Sequence, residues 1–75
     1  MYRPTDHQLQ TQTKNFTYHP PKEGQPERYE KIRAAAKEFS ELILTLTPLS
    51  REQAVALTQL EQAVFWANAA IARNE

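Results

Sequence analysis

The side chains best suited to chemistry gather in one stretch, NFTYHPPKEGQPERY, from Asn15 to Tyr29. Phe16, Tyr18, His19 and Tyr29 carry flat faces on which a nucleobase can stack. Lys22, Arg28 and, just beyond, Arg33 carry donors for phosphate. Arg28 and Arg33 are five residues apart, so they do not stack on one helix face. Both lie near the start of a helical pattern, where free N–H groups favour anions. Aromatics interleaved with cations on a proline-stiffened segment suit a small phosphorylated ligand. The same composition also fits a plainer arrangement, in which Phe16 and Tyr18 pin the segment to the rest of the chain and the cations are solvated. Arg51 is a second point of interest, because a cation in the first turn of a helix opposes the dipole. Trp66 and Asn68 read as packing residues.

Catalytic patterns are missing. His7 and His19 stand twelve residues apart in irregular chain, with no His-x-x-x-His pair and no acid at helical spacing, so a metal site is unsupported. Ser50 reads as a helix cap rather than a nucleophile. Glu52 and Glu61 read as solvated carboxylates, and Gly24, the only glycine, leaves no phosphate-cradling loop. The expectation is a binding protein with no catalytic residues, no metal and no cofactor.

The elements that must position these groups are few. Seventy-five residues allow one domain. A chain of this size buries only about 60% of its unfolded surface. No cysteine is present to staple it, which leaves oligomerisation as the usual remedy. The net charge of zero argues against a DNA coat and a membrane-surface helix. The charge is uneven: residues 1–37 hold seven Lys or Arg against four acids, and residues 38–75 hold two against five. The polar start and the lack of any apolar run of about 18 residues make a cytoplasmic location the expectation.

Residues 1–15 read as a flexible polar arm with one short turn of helix and Leu9 as its only aliphatic anchor. Residues 16–25 read as extended, held by Pro20 and Pro21. Pro26 suits the first helical position. Tyr29, Ile32, Ala36, Phe39, Ile43 and Leu46 then step by three and four, which predicts a helix over 26–46 stopped at Thr47-Pro48. Ser50-Arg51-Glu52-Gln53 has the form of a capping box. Leu57, Leu60, Val64, Ala67 and Ile71 predict a second helix over 50–72, with Asn74 as a left-handed residue beyond it. The expected fold class is all-α: an antiparallel two-helix hairpin with an extended N-terminal arm, occupying 16–74. Val64, Phe65 and Trp66 are consecutive and cannot all face the first helix, so the hairpin is expected to assemble into a symmetric homo-oligomer.

Two stretches carry a resemblance: FTYHPPKEGQPERYEKIR, from Phe16 to Arg33, and SREQAVALTQLEQAVFWANAAIARN, from Ser50 to Asn74. Together they resemble the small phage-encoded hairpin domain of the anti-CBASS and anti-Thoeris cyclic-nucleotide sponges. The resemblance implies a hairpin assembled as an oligomer, typically a hexamer, which sequesters cyclic di- or trinucleotides inside the infected bacterium. It implies Tyr18 as the base-stacking residue, with His19, Lys22, Arg28 and Arg33 for phosphate and ribose. It implies a second pocket at the Ser50-Arg51-Glu52 start, with Arg51 on phosphate and Thr58 nearby. The competing reading is a small single-stranded nucleic-acid-binding or adaptor protein of phage, which zero net charge disfavours.

Overall fold

The computed structural model describes residues 1–75 and contains three helices and no strand. Helix α1 spans Asp6–Asn15, α2 spans Gln25–Leu46 and α3 spans Arg51–Asn74.

The first helix corrects the reading of residues 1–15 as a loose arm with one turn. Thr5 and Gln8 form a complete capping box: Thr5 Oγ1 accepts from the Gln8 N–H at 3.0 Å, and Gln8 Oε1 accepts from the Thr5 N–H at 2.8 Å. Two orphan donors are thereby satisfied reciprocally. Asp6 in the first turn and Lys14 in the last match the dipole. Leu9 does not anchor this helix, since it is half exposed.

Helix α2 begins at Gln25, one residue before the expected start, with Pro26 in its first turn. Gly24 supplies the cap position at φ 81°, a left-handed conformation that a Cβ would penalise. At the other end, Ser50 caps α3 as expected, its Oγ accepting from the Gln53 N–H at 3.1 Å. The box is not completed there. Gln53 turns away from Ser50 and donates through Nε2 to the Thr47 carbonyl and hydroxyl, both at 3.1 Å. Helix α3 runs two residues past the expected end, and Asn74 remains helical rather than left-handed.

Helices α2 and α3 pack side by side as the predicted hairpin. All five stripe residues of α3 (Leu57, Leu60, Val64, Ala67 and Ile71) are half-buried along the seam. On α2 the seam takes Tyr29, Ile32, Ala36, Ser40 and Ile43. Phe39 and Leu46, both expected in the stripe, are instead 55% and 76% exposed. Ser40 takes the place of Phe39, so the α2 contact line steps by three, four, four and three and ends at Ile43.

The molecule measures 48 × 40 × 13 Å. Its thinnest dimension is about one helix diameter. The protomer is therefore a single layer, whereas a domain core needs two. The burial pattern follows: no hydrophobic residue is fully buried, and the only two buried residues are Gln25 and Gln53.

Candidate functional site

The single layer leaves apolar surface on both sides of the seam. One side forms an open groove of about 400 Å³, where Leu44, Leu57 and Phe65 are rimmed by Arg33, Lys37 and Glu61. The other, of about 290 Å³, is wholly apolar and includes Ile32, Ala35, Phe39, Ala63 and Ala67. Trp66 faces neither. It lies with Ala69 and Ala70 of α3 against Lys14 and Asn15, where the end of α1 approaches the hairpin.

The residues singled out for chemistry divide between the two ends of the hairpin. Tyr18, His19, Lys22 and Arg28 belong to the open end, where the chain enters α2 and leaves α3. Arg51 begins α3 at the closed end. The 22 residues of α2 separate the ends by about 33 Å at 1.5 Å per residue. One protomer cannot bring Arg28 and Arg51 onto one small ligand. Arg33 lies a little over a turn into α2 from Arg28, and Thr58 is exposed two turns into α3.

At the open end the arm is held by side chains that converge from three elements. The ring of His19 donates through Nε2 to the Lys14 carbonyl at 2.7 Å, fastening the arm to the end of α1. Lys14 Nζ donates to Asn74 Oδ1 at 3.2 Å. Gln25 accepts from the Lys22 N–H at 2.9 Å, closing the turn that leads into α2, and its Nε2 points at a Glu75 carboxylate oxygen 3.4 Å away. Arg28 grips the same carboxylate with both guanidinium nitrogens, NH1 at 2.7 Å from Oε2 and NH2 on Oε1. Lys22 Nζ reaches the Glu75 main-chain oxygen. The Arg28 hydrogen bond is the main cause that holds the Glu75 carboxyl down from 4.5 to about 2, with the Gln25 contact and the positive charges of Arg28 and Lys22 adding to it against partial desolvation. The same hydrogen bond raises Arg28 in turn.

The other named residues are freer. Tyr18 is 80% exposed with an unpaired hydroxyl. Arg33 pairs with Glu30 at 2.6 Å on the same helix, with both side chains largely in solvent. Arg51 is exposed and has no ion partner. Nowhere do three His, Asp or Glu side chains converge as a metal would require. No helix is long and apolar enough to cross a membrane.

Sequence reasoning brought out Lys22 and Arg28 but missed Gln25 and Glu75. The available signal was topological: in an antiparallel hairpin, residues after 71 must lie beside residues before 29, so an acid there meets Arg28. It missed α1 as well, although Thr5-Asp6-His7-Gln8 has the capping-box spacing.

No curated protein and no solved structure matches the chain. A family model does, the one described as Acb2/Tad1, hairpin domain, and it covers residues 8–72. The match starts inside α1, earlier than the Phe16 at which the resemblance begins in the sequence. Its members are sponges, binding domains rather than enzymes, known in general terms for sequestering cyclic nucleotides. With a single-layer helical hairpin whose length is almost wholly covered by that match, this chain belongs to the Acb2/Tad1 hairpin-domain family of anti-CBASS and anti-Thoeris sponges.

Proposed function

We propose that this chain binds cyclic oligonucleotide messengers of bacterial anti-phage signalling, dinucleotides, trinucleotides or both, and withholds them intact from their effectors, as a phage immune-evasion protein in the cytoplasm of the infected host. The observation that carries the ligand class is the family match over residues 8–72. The geometry supports where binding occurs. A one-layer protomer with no buried apolar side chain gains its second layer from other copies of itself, and a hexamer is the assembly we expect. The seams between copies then supply the walls that one protomer lacks. At the open end Tyr18 stacks on a base, while His19, Lys22, Arg28 and Arg33 contact phosphate and ribose. At the closed end Arg51 contacts phosphate in a second pocket, with Thr58 beside it. The distance between the ends keeps the two groups of one protomer from sharing a ligand.

Native mass spectrometry of the protein, alone and with a panel of cyclic di- and trinucleotides, tests this directly. The expected result is one oligomer carrying intact ligands in a fixed ratio to subunits. Tyr18→Ala combined with Arg28→Gln is expected to remove ligand from the open-end pocket without changing the mass of the oligomer. An oligomer that ignores the whole panel, or ligand recovered as a linear product, would sink the proposal. A salt-dependent shift of unstructured RNA or DNA would favour the nucleic-acid reading instead.

A further inference from the structure

Two of the open-end cations proposed to meet phosphate, Lys22 and Arg28, already hold oxygens of Glu75. Arg28 binds both oxygens of the Glu75 side chain, Lys22 binds the Glu75 main-chain oxygen, and Gln25 directs its amide at the same carboxylate. Gln25 is only 2% exposed, so this amide is fixed in place while the anion it faces stays accessible. Arg28 and Glu75 are 45% and 41% exposed, open to solvent and to an incoming anion. A fork of guanidinium nitrogens with a neighbouring ammonium and amide suits a carboxylate and a phosphate equally. The neighbouring residue, Asn74, holds Lys14 at the far end of the arm. The last two residues therefore clasp both ends of the segment that carries Tyr18 and His19.

We infer that Glu75 is a built-in competitor, an internal carboxylate that occupies the Gln25–Arg28 anion site beside Lys22 and is displaced by the phosphate of a bound ligand, releasing the arm from the end of α3. This rests on the assignment of Lys22 and Arg28 to ligand phosphate made above. The half-exposed pair is weak enough to exchange, because exposed ion pairs contribute little in water.

The experiment compares the full chain with Glu75→Gln, using isothermal titration with the same cyclic dinucleotides and cyclic trinucleotide. Helical circular dichroism of both proteins checks the fold. Glu75→Gln is expected to bind the preferred ligand about two- to fivefold more tightly, the range an exposed pair accounts for. Carboxyl-detected NMR of the wild-type chain should show the Glu75 resonance moving as the site fills. Equal or weaker binding by Glu75→Gln, or a Glu75 resonance unmoved at saturation, overturns the competitor and makes Glu75 a support for Arg28. If neither protein binds any member of the panel, the sponge reading fails, and inorganic phosphate then tests the competitor separately. The Arg28 guanidinium resonance should respond to phosphate at lower concentration in Glu75→Gln than in wild type, and an identical response in the two proteins overturns the inference.

Discussion

The two ends of the hairpin solve the same problem with different chemistry. Each long helix begins beside a buried glutamine, Gln53 at the closed end and Gln25 at the open end. Gln53 finds its partners within six residues, on Thr47, and needs no charge. Gln25 closes a turn locally on Lys22, then faces a carboxylate 50 residues away that Arg28 also holds, while Lys22 Nζ reaches the main-chain oxygen of the same residue. Covalent connection keeps the closed end together even when its hydrogen bonds open. The open end has no such connection, and its polar contacts join segments about fifty residues apart in the chain. Local, neutral contacts make a permanent corner. Long-range, solvent-exposed charge makes one that salt, pH or a competing anion can undo.

That contrast can be broken most forcefully at Gln53. Gln53→Ala removes the two hydrogen bonds that tie the start of α3 to Thr47 and, at about 0.5–1.5 kcal/mol each, should cost about 1–3 kcal/mol. Thermal denaturation followed by circular dichroism should show it as the largest loss among these variants. Stability equal to wild type would mean that the closed corner is held by the connection alone. Ser50→Ala removes the cap of α3 at the same corner, with an expected loss of about 1 kcal/mol in the same assay.

Gly24→Ala probes the open end through its backbone. Nothing lies within 4 Å of an added Cβ, so the cost comes only from the φ of 81° and should be about 1 kcal/mol. A neutral result would indicate that the entry to α2 relaxes to an ordinary conformation. The smallest expected change in stability comes from pH. Glu75 has a lowered carboxyl, so its contribution is complete above 4.5 and is lost as pH falls through about 2. The hydrogen bonds that hold the closed corner join only amide, hydroxyl and carbonyl groups, none of which changes charge in that window. In an NMR pH titration, the Arg28 side chain should therefore keep its bound signature past 4.5 while the Gln53 amide stays constant throughout. Loss of the Arg28 signature near 4.5 would mean that the carboxylate is not held in solution.

The apolar residues of α3 show how far periodicity reaches. Its five stripe residues all fall on the seam, because a three–four spacing states directly which side of a helix is apolar. Phe39 and Leu46 show the limit. Both belong to the apolar pattern of α2, yet they stay mostly exposed. Apolar character says that a residue wants cover, and it does not say whether the neighbouring helix or another chain provides it. The functional residues follow the same division. Tyr18, Lys22 and Arg28 stood out by type and spacing. His19 did too, but its tie to the Lys14 carbonyl depends on α1 ending where it does.

By itself the sequence determined the two long helices and the hairpin they form. Those depend on contacts within about four residues, on caps such as Ser50 and stops such as Pro48, all written side by side in the chain. Only the tertiary structure decided that the protomer is one layer thick and that its buried side chains are two glutamines. It alone placed Glu75 on Lys22, Gln25 and Arg28, across separations of 47 to 53 residues. Such partners meet only after α2 and α3 lie antiparallel, and no local pattern encodes which of two ends a distant carboxylate will reach.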